Sequence, residues 1–281
     1  MNNNLRAGLA FAFAAAAINA SVGIFSKGLL NQNVPASAIS FYKCFLGFII
    51  LLAVTDRKNL FQHRAKFAFC AFLGIFVLFF FETHAYDFDL TPNIIFVLMG
   101  SAAISTFIFG RIFLNDALTK GEIIGLLVCL SGLILLLGVS SQMAVNGLLL
   151  ACIAGCGYGG FSVAAKKLNL GGGFEVTRNL LGYGSLFLFV PFAFDGFYMP
   201  TSNQWLPLIG LALLPSIGGF YCTTKAIDFL KPSQVQMAEL TEPIFAILFS
   251  FIFLFQLPNT MQLLGGALVI CGLTIANKLK F

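Results

Sequence analysis

Glu239 and Glu242 fall one helical step apart in the apolar stretch 233–255, so a helix there carries both carboxylates on one face. Two acids held that close suit proton carriage or capture of a cationic substrate group; the other reading is a structural ion pair with a basic residue on another helix. Pro243 follows directly, removes a backbone hydrogen bond and is expected to kink the helix beside them. Lys43 and Arg178 also stand inside apolar stretches. Either they face an internal cavity, where one cation from each half would hold a carboxylate, or they snorkel to a headgroup layer. Arg178 is nearer the start of its stretch. Glu82 and His84, in FFFETHAY, are a third candidate pair. An imidazole titrates in the range useful for proton transfer, although His84 lies close to the stretch end, where it would meet water. Asn19 and Tyr158 would add neutral polar contacts to a substrate.

The elements that must position these groups follow from composition. Of 281 residues, 59% are hydrophobic and only 10% charged, whereas a soluble domain carries roughly 25% charged residues. Apolar stretches at 7–29, 36–54, 67–86, 92–110, 121–139, 146–165, 175–194, 204–223, 233–255 and 260–277 are each of a length to cross about 30 Å of hydrocarbon as a helix. The expected class is an all-α polytopic membrane protein with ten transmembrane helices. An ionisable group at mid-membrane costs at least about 2.5–3.5 kcal/mol, which is why each of those above needs a reason. The first stretch, ending near AINA, resembles a signal peptide, but it has a counterpart later in the chain and reads as a span.

Lys and Arg concentrate in alternate gaps: Arg57, Lys58, Arg64 and Lys66; Arg111 and Lys120; Lys166 and Lys167; Lys225 and Lys231; with Arg6 at one end and Lys278 and Lys280 at the other. The intervening gaps hold Asp87, Asp89 and Asp195 and almost no cations. That alternation predicts both termini in the cytoplasm of a bacterial inner membrane. All seven cysteines fall inside apolar stretches and read as small core residues. With two histidines, His63 and His84, there is no ligand set for a metal and no acyl-transfer pair, so neither cofactor nor enzymatic activity is expected.

THAYDF at 83–88 returns as TKAIDF at 224–229, and each copy is followed by one further span and then by GLLVCLSG at 125–132 or GGALVICG at 265–272. Upstream, Gly8, Lys27 and Leu29 align with Gly147, Lys166 and Leu168, Lys43-x3-Gly47 aligns with Arg178-x3-Gly182, and Asn19 with Tyr158. Residues 1–140 and 141–281 therefore read as two five-helix repeats. Five is odd, so the second copy enters the membrane from the opposite side, an inverted repeat able to open to either face. The closely spaced Ala12, Ala16, Ala20 and Gly23, and Gly155 and Gly159, would let helix backbones approach.

This plan resembles the drug/metabolite transporter superfamily, specifically its EamA-like ten-helix branch. The resemblance covers nearly the whole chain and is carried most by Ala226 to Gly272, with Glu242-Pro243 in the ninth span and a final G-x6-G helix. Where the family often has Gly-Glu after the fourth and ninth spans, this chain has Asn115-Asp116 and Phe255-Gln256. The resemblance implies transport of a small metabolite, often export, through a cavity lined by the third, fourth, eighth, ninth, first and sixth helices. With both signs of charge inside the spans, the expected function is secondary transport of a small polar metabolite such as an amino acid, with protons as coupling ion. A cationic substrate, such as choline, another quaternary amine or a sulfonium compound, is the alternative; a membrane enzyme on lipid-linked substrates is the remaining class. The expected partners are the substrate and the bilayer, not nucleic acid, in a monomer or homodimer.

Overall fold

A computed structural model describes residues 3–56, 64–88, 91–117, 119–137, 144–254, 257 and 259–278. Arg57, Lys58, His63, Asp89, Phe255, Gln256 and Lys280 lie outside them. The described helices fall into ten consecutive runs. The first is broken, α1 (Asn3–Asn19) and α2 (Val22–Leu30), and the second is α3 (Ala36–Val54). The third joins α4 (Arg64–Ala71) and α5 (Leu78–Phe88) through a π-helical stretch, Phe72–Val77. Then come α6 (Thr91–Phe113), α7 (Lys120–Leu137), α8 (Val145–Lys167) and α9 (Phe174–Phe194). The eighth run joins α10 (Ser202–Leu211) and α11 (Phe220–Phe229) through a second π-helical stretch, Ala212–Gly219. The ninth is broken into α12 (Pro232–Glu239) and α13 (Glu242–Leu254), and α14 (Thr260–Lys278) is the tenth.

Six runs are long and apolar enough, by length and composition, to cross a membrane: the first, second, third, fourth, sixth and eighth. Their outer faces carry large apolar side chains in the open, such as Phe69, Ile108, Ile153 and Leu206. In water that would be untenable; against lipid it is required.

Helix pairing reproduces the repeat. α3 packs on α9 and α7 on α14, each a run meeting its own repeat-mate. α5 packs on α8, and correspondingly α11 packs on α1; α6 packs on α8, and α12 and α13 pack on α1. Exchanging the first five runs with the second five therefore maps the pattern onto itself, as an inverted pair of repeats must. The glycine motifs supply the closest of these approaches. A side chain at Gly125 would collide with the Gly272 carbonyl at 2.6 Å, and one at Gly132 with the Gly265 carbonyl at 2.7 Å. The outer glycines of GLLVCLSG and GGALVICG thus face each other across the antiparallel α7–α14 crossing, with no driving force except close packing. Gly155 and Gly159 do the same for α8 on α6, pressing on Ser101 and Ser105.

The two π-helical stretches also obey the repeat, since each ends shortly before THAYDF or TKAIDF. A π turn leaves its neighbours free to approach, and at Gly219 the Asn19 amide oxygen occupies the space a side chain would need. Of the seven cysteines, all free, Cys44, Cys70, Cys129 and Cys222 are buried as expected, but Cys152, Cys156 and Cys271 are exposed. The difference has a simple source: a thiol is apolar enough to face lipid, so an apolar span does not imply an inward direction.

Candidate transport site

The polar groups inside the bundle cluster around the break in the ninth run. α12 ends at Glu239, Leu240 and Thr241 form a turn, and α13 begins at Glu242 with Pro243 as its second residue. Proline is tolerated there because the first N–H groups of a helix have no intrahelical acceptor. Pro243 thus sits beside a complete interruption of the helix instead of kinking a continuous one. The interruption leaves Glu239 at one helix C-terminus and Glu242 at the next helix N-terminus, where the positive end of the dipole favours a carboxylate.

Glu239 is fully buried and well supplied with donors. Its Oε1 accepts from the Thr223 hydroxyl at 2.8 Å, and its Oε2 accepts from Tyr158 Oη at 2.8 Å and Gln236 Nε2 at 3.1 Å. Tyr158 also lies 3.0 Å from Thr223, and Gln236 donates to Ser162. α8, α11 and α12 are therefore joined by one hydrogen-bonded network. Glu242 is different: it is buried, and its Oε2 has no hydrogen-bond partner among the described residues. An unmade bond to a buried acceptor costs about 1–3 kcal/mol, more for a charged one.

Lys43 is almost fully buried on α3. It forms an ion pair with Glu82 at 3.3 Å, donates to the Thr83 hydroxyl at 3.3 Å and stands 4.1 Å above the Phe79 ring. Glu82 accepts in addition from Tyr86 Oη at 3.3 Å. Asn19, Glu82, Tyr158 and Glu242 all line one small central cavity, walled by Phe79 and Phe220. Its other lining residues come from the fourth and eighth runs among others, so the cavity touches the first, third, fourth, sixth, eighth and ninth runs. Its volume, about 30 Å³, suffices for a water or two and for no metabolite. The bundle is closed around it.

Lys43 and Glu239 stand behind the lining, bonded to Glu82 and Tyr158, and two further predicted residues lie elsewhere. Arg178 is fully buried at the start of α9 but points to the end of α3: its guanidinium donates to the Thr55 hydroxyl at 2.8 Å, to the Asp56 carbonyl, and to Asn179 Oδ1 at 3.2–3.3 Å. It is not among the cavity's lining residues. The repeat explains why its mate behaves otherwise. The place of Glu82 in the first half is taken by Thr223 in the second, and Glu239, the carboxylate that Thr223 meets, is already held by Tyr158 and Gln236 as well. His84 packs its ring on Phe80 at 4.1 Å and bonds the Phe80 carbonyl through Nδ1 at 2.7 Å; it too is outside the lining.

Thr223, Gln236, Ser162 and Tyr86 were not anticipated. Thr223 had a signal, its register opposite Glu82; Gln236 had one in being polar inside an apolar run. Lys27 and Lys166 also acquire a common task. Lys27 Nζ donates to the Tyr86 carbonyl at 2.5 Å, and Lys166 Nζ to the Ile227 carbonyl at 2.7 Å. Tyr86 and Ile227 occupy the same place in THAYDF and TKAIDF, so each lysine caps the carbonyl end of one copy.

A polytopic helical membrane protein made of two mutually inverted halves, with a closed polar cavity at their seam, is the class this architecture defines. The chain belongs to the EamA-like transporter family, whose family model matches it twice, at residues 6–138 and 145–278, and so to the drug/metabolite transporter superfamily. It is 20% identical over 272 residues to Uncharacterized transporter YxxF of Bacillus subtilis (strain 168), covering 91% of this chain and 84% of that one. It is 26% identical over 187 residues to a Probable terminal-alkyne amino-acid exporter of Streptantibioticus cattleyicolor, covering 65% of this chain and 63% of the exporter. A crystal structure with 18% sequence identity superposes with a TM-score of 0.81, covering 97% of this chain and 98% of that one, and establishes the fold alone.

Proposed function

We propose that this transporter is a secondary exporter or exchanger of a small polar metabolite, an amino acid being the first candidate, working by alternating access with protons as coupling ion. The observation that carries the reading is Glu242. It is a buried carboxylate with an unpartnered oxygen, set at a helix break on a cavity shared by both halves. Such an oxygen is satisfied by a proton or by a substrate ammonium, and the two compete for it. Glu239 sits behind it, held by Tyr158, Thr223 and Gln236, and Lys43 with Glu82 supplies the opposite charge that a substrate carboxylate would need. The relative named as an amino-acid exporter supports the same substrate class. In this reading residues 1–140 and 141–281 are the two moving halves, the chain transports without catalysing, and both termini lie in the cytoplasm of a bacterial inner membrane.

The charge balance of the site favours one alternative. Three carboxylates, Glu82, Glu239 and Glu242, face one cation, Lys43, which is already paired, and Phe79, Phe220 and Tyr158 line or approach the cavity. A quaternary amine or sulfonium fits such an acidic, aromatic-walled site. Counterflow of labelled amino acids and of labelled choline into proteoliposomes, with and without a proton gradient, separates the readings. Glu242→Gln should abolish flux in either case. Absence of flux for every amino acid and every cationic amine tested rejects both.

A further inference from the structure

A second, much larger concavity lies on the outside of the bundle. Lined by α4 and the following π-helical stretch, by the end of α6 and by α8, it encloses about 950 Å³. Its wall is almost wholly apolar: Phe69, Leu73, Val77, Phe109, Phe113 and Ile153. On α8, Gly157 lets the helix pack directly on Leu73 and Val77, and Gly160 forms the floor, where a side chain would stand against Leu73 and Phe109. Among the described residues, the charged ones in the lining are Lys66 and Lys167, both exposed and both at the same end. Lys66 Nζ lies 3.4 Å from the Leu168 carbonyl, and Lys167 Nζ stands 5.2 Å over the Phe113 ring. Among the described residues, no carboxylate is in the lining.

We propose that this groove is a binding site for an anionic phospholipid, with an acyl chain along α8 and the phosphate between Lys66 and Lys167. The dimensions agree. From Lys167 to Cys152 the groove follows α8 for about 22 Å at 1.5 Å per residue, which covers one leaflet's share of a hydrocarbon core about 30 Å thick. Its cations stand at the headgroup end and its remaining length is apolar. That sequence of chemistries matches a lipid and does not match the polar solute of the central cavity. Two basic side chains beside an apolar cleft between helices are the arrangement that selects anionic over zwitterionic headgroups. The site is independent of the transport reading, since none of its residues lines the central cavity.

Cys152 and Cys156 lie in the groove and report its occupancy. In a Cys271→Ser background, the exposed thiols among the described residues are these two. Their rate of reaction with N-ethylmaleimide is measured in detergent micelles titrated with dioleoyl phosphatidylglycerol or with dioleoyl phosphatidylcholine. Both lipids should protect, with half-protection at a roughly 10- to 30-fold lower fraction of phosphatidylglycerol, as two favourable charges imply. Lys66→Gln/Lys167→Gln should erase that preference, and Lys66→Arg/Lys167→Arg should keep it. Equal protection by the two lipids in the parent protein, or a preference that persists in the double glutamine variant, overturns the proposal. If the glutamine variant is not recovered folded, Gly160→Leu, which fills the floor, is measured instead. Protection must then vanish for both lipids, and unchanged protection overturns the proposal equally.

Discussion

Replacing Lys43 with methionine removes a charge from a place where its partner has few others. The ammonium serves the Glu82 carboxylate, the Thr83 hydroxyl and the Phe79 ring at once. Without it, Glu82 remains buried and keeps the Tyr86 hydroxyl at 3.3 Å. Breaking a buried pair by deleting one member costs about 3–5 kcal/mol, because the surviving charge is left uncompensated. At about 2 °C per kcal/mol, the lower end for large domains, the unfolding midpoint should fall by roughly 6–10 °C. The double variant Lys43→Met/Glu82→Gln removes both charges and should recover much of that loss, leaving a strongly non-additive cycle. Buried free thiols at Cys44, Cys70, Cys129 and Cys222 make the assay direct: a thiol-reactive dye lights up as the bundle opens on heating. A midpoint unmoved by Lys43→Met, or a double variant that loses the sum of the two single losses, would refute the assignment of Lys43 and Glu82 as an interdependent pair.

Glu242→Gln should leave the thermal midpoint within a few degrees or raise it, since a buried unsatisfied oxygen is made less costly, while proteoliposome flux disappears; retained flux would remove Glu242 from the mechanism. Gly265→Val puts a branched side chain where the Gly132 carbonyl lies at 2.6 Å, so stability should fall by about 1–3 kcal/mol or more in a thermal scan, with Gly266→Ala, whose nearest neighbour is at 3.8 Å, close to neutral. Arg178→Ala removes the charged hydrogen bonds to Thr55 and to the Asp56 carbonyl and should cost roughly 1.5–3 kcal/mol in the same scan, with Arg178→Lys only partly restoring it, because an ammonium lacks the forked geometry. Lys27→Met and Lys166→Met should each release one helix end, and hydrogen exchange should rise at residues 83–88 in the first variant and at 224–229 in the second.

Helix positions were readable because hydrocarbon imposes length and apolarity on every span, and the observed runs lie within a few residues of the ten stretches. The repeat was readable for a related reason: pairing at Gly125–Gly272 and Gly132–Gly265 needs the same residue type in both halves. What the sequence could not supply was direction. Apolar residues surround both sides of a membrane helix, so periodicity does not say whether Cys156 or Arg178 turns inward. Lys43 and Arg178 align in the repeat, yet one is paired with Glu82 and the other is bonded to Thr55 and Asp56, a difference that lies in their partners and not in the spans that carry them. The break after Glu239 was signalled by Pro243, but the break after Asn19 had no proline to mark it.

Those two breaks are not distributed as the repeat would have them. They fall in the first and ninth runs, which pack on each other, while the equivalent sixth and fourth runs, α8 and α6, are continuous and pack on each other in turn. One side of the central cavity is therefore a strut of two unbroken rods, and the other is an elbow in which both members already lack part of their hydrogen-bond ladder. Among the described residues, the two turns that interrupt a run thus lie on one side of a protein assembled from two copies of one plan, and Asn19, Glu239 and Glu242 flank them.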